Sequence, residues 1–152
     1  MAGKPVAWEE TPRGPQVPAP VHNRKVHVSL SYVAEEAWLA VGLGTAIGID
    51  AADTGQITDW EAVASAYLER EALARLRNSA SPGLDFAREW TCLEARLKML
   101  GLPLREGIQP PRASLCEACF GAVAVAVALP YGRPQPLRGR AIDSPADIFP
   151  AP

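Results

Sequence analysis

The stretch Asp85–Gly101, DFAREWTCLEARLKMLG, decides the fold class. Phe86, Trp90, Leu93, Leu97 and Leu100 recur at steps of four, three, four and three residues, the spacing of one face of an α-helix over about Asp85 to Leu100. Gly101 and Pro103 stop it: glycine tolerates the left-handed cap, and proline cannot continue the helix. A stripe of this kind needs a second layer to cover it, and the flanking sequence supplies strands. Val26–Tyr32 alternates Val26, Val28 and Leu30 with polar neighbours. A short strand near Ala37–Val41 then leads into Gly42-Leu43-Gly44, read as a hairpin turn, and a third strand covers Ala46–Asp50.

Working outward, an earlier helix is expected from Asp59 to about Arg77. Thr58 followed by Glu61 is a capping-box pattern, and Trp60, Val63, Tyr67, Leu73 and Leu76 form its stripe. Asn78 to Gly83 breaks the pattern. Beyond a loop with Pro103, Pro110 and Pro111, Leu115–Leu129 reads as one bent strand or as two joined at Gly121. The order of strands, helices and a final strand predicts an α+β fold, a small antiparallel sheet packed against two main helices. Residues 26–129 form the domain, after an extended Pro-rich segment 1–25 and before a Pro-rich tail 130–152.

Composition removes several classes of function. In 152 residues the net charge is −2, which gives no basic field for nucleic acid. The longest apolar run, Phe120–Leu129, is far shorter than the roughly 18 residues of a membrane span and reads as a buried strand. The first 25 residues show no apolar signal-peptide core, so a cytoplasmic location is expected. Three cysteines argue against a disulfide framework. Cys116 and Cys119 form a lone C-x-x-C within a predicted strand. Without a second pair or a nearby histidine, they read as strand residues rather than as half a zinc site or a redox pair. Gly42, Gly44 and Gly48 miss the spacing of a dinucleotide loop.

Two acids stand out. Asp50 ends the apolar run Ile47-Gly48-Ile49, and Glu94 sits mid-helix between Trp90 and Lys98. Carboxylates converging from two elements suit Mg²⁺, which takes one or two of them together with water and phosphate oxygens. The same residues also suit a turn aspartate and a surface Glu94–Lys98 pair one helical turn apart.

Five segments together resemble the 4′-phosphopantetheinyl transferase superfamily, of the holo-acyl-carrier-protein synthase kind. IGIDAAD (Ile47–Asp53) resembles its GID motif, and FAREWTCLEARLKMLG (Phe86–Gly101) its W-x-x-K-E-A-x-x-K helix. GKP (Gly3–Pro5), VSLSYV (Val28–Val33) and YLEREALARL (Tyr67–Leu76) resemble its G-K-P element, its N-x-S-H-S strand and the helix between the two metal motifs. All five follow the family's order, over about Gly3 to Leu129. The resemblance implies transfer of phosphopantetheine from coenzyme A, as co-substrate, to a serine of an acyl or peptidyl carrier protein. By position it implies Asp50 and Glu94 as Mg²⁺ ligands, Glu94 also as the base for the serine, and Lys98 as a cation for phosphate charge. Lys4, Ser31 and Lys98 match positions that contact coenzyme A.

The chain departs from that pattern at three places. Ala52 stands where the larger members carry a second acid, and Asp53 would point to the opposite face of a strand. Leu93 replaces a lysine before Glu94, and Tyr32 replaces a histidine after Ser31. The larger members also have two similar halves, and this sequence resembles only one. A second copy or a partner protein is therefore expected to cover an apolar face, with Ala122–Leu129 its expected source. The alternative reading is a non-catalytic relative that binds a carrier protein, coenzyme A or a partner enzyme.

Overall fold

The computed structural model describes residues 9–11, 14–18, 20, 23–55 and 59–132. A short hairpin of β1 (Glu9–Thr11) and β2 (Gly14–Gln16) precedes a ribbon of β3 (Val26–Val33) and β4 (Glu36–Leu43). The ribbon pairs antiparallel from Val26 opposite Leu43 to Val33 opposite Glu36. Its loop is only Ala34-Glu35, with Ala34 at φ 50°. A positive φ at the first loop position fits the twist of a two-residue hairpin. This corrects the expectation of a turn at Gly42-Leu43-Gly44. That segment instead carries the chain from the ribbon into a separate sheet, with the Gly44 amide donating to the Lys25 carbonyl at 2.7 Å.

The second sheet holds β5 (Gly48–Asp53), β6 (Ala113–Phe120) and β7 (Val123–Pro130) in the order β5-β7-β6, antiparallel throughout. The segment Leu115–Leu129 thus belongs to two strands joined at Gly121, one of the two expected arrangements. Strand alternation divides the sheet cleanly. Ile49, Ala51, Val125 and Leu129 form a core with Ala40 of the ribbon, backed by Val33 and Trp38. The opposite face is small: Gly48 lies across from Ala128, Asp50 from Ala126, and Ala52 from Ala124.

Three helices complete the fold: α1 (Trp60–Tyr67), α2 (Arg70–Arg77) and α3 (Pro82–Leu100). The helix expected over Asp59–Arg77 is therefore two helices. Leu68 is extended there (φ −96°, ψ 160°) and packs into a cluster with Trp60, Val63, Leu73 and Trp90 around Ala64, Leu76 and Phe86. The carbonyls freed at the break are satisfied by the loop after α3. The Gly107 amide donates to Ala66 O at 3.1 Å, and Gln109 Nε2 to Tyr67 O at 2.8 Å. Asp59 takes the N-cap position without a side-chain cap bond, and Thr58 lies outside the described residues.

Helix α3 ends as its sequence requires. Gly101 is left-handed (φ 64°), its amide bonds to Lys98 O, and the Leu102 amide reaches Leu97 O. These are the paired bonds of a Schellman cap. Phe86, Leu93 and Leu97 are buried, whereas Leu100 is exposed. Trp90 is half-buried and meets Tyr67 and Phe86 rather than the sheet. The sheet side of α3 is taken by Cys92, Ala95 and Met99, which pack on Ala126 and Ala128. Small residues on both partners let helix and sheet approach closely.

The expected apolar surface at Ala122–Leu129 is not found. β7 is the central strand, with Ala124, Val125, Ala126, Ala128 and Leu129 buried. Exposed apolar side chains lie instead on the outer face of the ribbon, at Tyr32, Leu39, Val41 and Leu43. No helix among the described residues is long and apolar enough to cross a membrane.

Candidate functional site

The site is built where α3 crosses β5. At Gly48 an added Cβ would stand 2.0 Å from the Ala95 carbonyl oxygen and 2.6 Å from the Met99 amide nitrogen. Only a residue without a side chain lets α3 lie this close. Two residues on, Asp50 shares the face of Gly48, so its carboxylate points toward the helix that carries Glu94 and Lys98.

Asp50 is buried, at 7% exposure. Its Oδ1 accepts from Lys98 Nζ at 2.7 Å and from Ser31 Oγ at 2.9 Å. Lys98 Nζ also donates to the Leu30 carbonyl at 3.2 Å. A carboxylate removed from water needs such partners to remain ionised. The Asp50–Lys98 contact therefore joins β3, β5 and α3 at one point.

Two serines fix Asp50 from the other side. β3 and β5 belong to different sheets, yet the Ile49 amide donates to Ser29 Oγ at 3.0 Å and the Ala51 amide to Ser31 Oγ at 3.1 Å. Hydroxyls two residues apart on one strand thus take successive outward amides of β5, the work a neighbouring backbone would otherwise do. Ser29 has no place in the sequence reading. The available signal was the pair of hydroxyls at Ser29 and Ser31 alternating with Val28 and Leu30.

Glu94 lies half-buried one turn before Lys98. Its pKa is raised above the ordinary carboxylate value, first by burial and then by the charge of Asp50, while Lys98 opposes the shift. Glu94 and Lys98, one helical turn apart, share the face of α3 that meets Asp50. Glu94 has no hydrogen bond or ion pair among the described residues, so the expected alternative of a surface Glu94–Lys98 pair gives way to Lys98–Asp50.

The remaining candidates fall as follows. Ser31 is buried, with its hydroxyl engaged by Asp50 and Ala51. Lys4 lies outside the described residues. Leu93 is fully buried, and Tyr32 is exposed on the ribbon's outer face. Asp53 caps a turn by accepting from the Gly55 amide at 2.7 Å. Cys116 and Cys119 are free and exposed on β6. No group of three or more His, Cys, Asp or Glu side chains able to hold a metal occurs among the described residues. Asp50 and Glu94, the two carboxylates that the resemblance names, would serve Mg²⁺ only where phosphate oxygens and water supplied the rest of its shell. No protein-family model matches the chain, and no curated protein matches it.

Proposed function

We propose that the chain is a Mg²⁺-dependent 4′-phosphopantetheinyl transferase acting in the cytoplasm on an acyl or peptidyl carrier protein. The observation that carries the reading is the Asp50–Lys98 contact between β5 and α3, with Glu94 one turn before Lys98 on the same helix. The two motifs that resemble the family most supply all three residues.

In this reading Asp50 and Glu94 would hold the metal, which would supply charge neutralisation at the attacked phosphate and the leaving group. Glu94 takes the proton of the carrier serine, directly or through water. The serine oxygen bonds to the β-phosphorus of coenzyme A, the bond to the bridging oxygen breaks, and 3′,5′-ADP departs. Lys98 meets the negative charge on the phosphates. Ser31 acts behind Asp50, as a positioning residue.

A second reading, a non-catalytic relative that binds carrier protein or coenzyme A, is favoured by one observation. Leu93 is fully buried, so the family's lysine is replaced by a core residue rather than by another charge. The deciding experiment incubates the full chain with coenzyme A, Mg²⁺ and an apo carrier protein, then weighs the carrier. A carrier heavier by one phosphopantetheine, and only with metal present, supports transfer. An unmodified carrier alongside measurable coenzyme A binding supports the second reading.

A further inference from the structure

Lys98 lies where an added cation would have to act. Its ammonium holds Asp50 Oδ1 at 2.7 Å, with the Leu30 carbonyl as a second acceptor at 3.2 Å. The same Asp50 oxygen also takes the Ser31 hydroxyl, so Oδ1 is fully engaged within the protein. Asp50 Oδ2 has no hydrogen-bond partner among the described residues. The carboxylate thus has one oxygen occupied by an internal cation and one free for an external one.

A divalent ion held by Asp50 and Glu94 would add a second positive charge at a carboxylate that Lys98 already neutralises, and like charges at close range repel strongly. Lys98 can relieve the repulsion. Its side chain is 32% exposed, against 10% for Asp50, and it ends a flexible four-carbon stem. It needs an anion to move to, because leaving Asp50 and Leu30 O without one gives up two hydrogen bonds. A diphosphate bound beside the metal provides that anion.

We propose that Lys98 is an internal counter-cation that makes divalent-metal binding at Asp50 conditional on a diphosphate ligand. This rests on the transferase reading of the same residues. Metal alone binds weakly because it competes with Lys98. A diphosphate draws the ammonium away and neutralises it, so the two ligands bind with positive coupling, and linkage makes the coupling reciprocal.

The test titrates the full chain with Mn²⁺, with and without coenzyme A, for the wild type and for Lys98→Met. In the wild type, coenzyme A tightens Mn²⁺ binding by about tenfold or more. Lys98→Met binds Mn²⁺ alone about tenfold tighter than the wild type, and coenzyme A adds little further. Equal Mn²⁺ affinity of the two proteins without coenzyme A overturns the proposal and leaves the transferase reading standing. A wild type that binds no Mn²⁺ under either condition overturns both. If Lys98→Met does not fold, the ¹⁵N ammonium signal of Lys98 in the wild type decides. It moves on joint addition of Mg²⁺ and coenzyme A and stays in place with Mg²⁺ alone. Movement with Mg²⁺ alone contradicts the proposal.

Discussion

Lys98 Nζ lies 2.7 Å from Asp50 Oδ1, and this one contact ties the end of α3 to β5 while a second bond from the same nitrogen reaches the Leu30 carbonyl of β3. Asp50→Asn keeps an acceptor for Ser31 but removes the charge that Lys98 answers. The expected loss is about 1.5–3 kcal/mol, the range for hydrogen bonds to charged groups. Urea unfolding of both proteins measures it, and an unchanged midpoint would mean that the pair contributes nothing to the fold.

Gly48→Ala should be among the most damaging small substitutions in the chain. The added methyl would meet the backbone of α3 at Ala95 and Met99, which cannot step aside as a side-chain tip can. A destabilisation of about 2 kcal/mol or more is expected, toward the upper end for overpacking. Thermal melting gives the value, and a wild-type melting temperature would show that α3 does not lie this close to β5.

Leu93→Lys places the lysine of the pattern that the chain resembles at a position with no solvent exposure. The expected result is a loss of about 3 kcal/mol or more from an unpaired buried charge. No gain in carrier modification is expected. Higher turnover in a protein that melts normally would place the new ammonium at the phosphate site and refute the core assignment.

The resemblance pointed to Asp50, Glu94 and Lys98, and the helical stripe made α3 legible, because each rests on spacing along one element. What stayed hidden depends on contacts between elements. The ribbon turn at Ala34-Glu35 carries no glycine, asparagine or proline, so the nearby glycines of Gly42-Leu43-Gly44 gave the stronger turn signal. The break at Leu68 has no local cause, since its freed carbonyls are satisfied by Gly107 and Gln109, about forty residues away in sequence. β7 is rich in Ala and Val, and its sequence alone does not say what covers each face. The alanines in fact seat α3 and the valines meet the ribbon core, so both faces are covered.

Thiol chemistry separates the three cysteines. Cys92 is buried, and burial followed by the charge of Glu117 pushes its pKa up to about 12. Cys116 and Cys119 are exposed. A thiol reagent at pH 8 should therefore modify two groups quickly in the folded protein and the third only on unfolding. Rapid reaction of all three would contradict the packing of Cys92 against Ala126 and Ala128.

Glu94 gives a pH test with a definite sign. Its folded pKa lies above the ordinary 4.5, raised by burial first and then by Asp50. Between 4.5 and the raised value the folded chain keeps a proton that the unfolded chain has released. Stability from this group is therefore highest below 4.5 and falls as pH rises through that window. Glu94→Gln removes the fall. The stability difference, variant minus wild type, should grow from acid toward neutral pH in denaturant titrations, and a flat difference would mean that Glu94 is solvated.

Asp50 and Glu94 are proposed to act together as one metal-dependent transfer site. The rate of carrier-protein modification by coenzyme A, measured by mass for the wild type and for folded Asp50→Asn, tests it most directly. Mg²⁺-dependent modification by the wild type is expected, with a rate lower by about a hundredfold or more in the variant, the scale expected when a positioned charge is lost. Equal rates in the two proteins, or no modification by either, would contradict it.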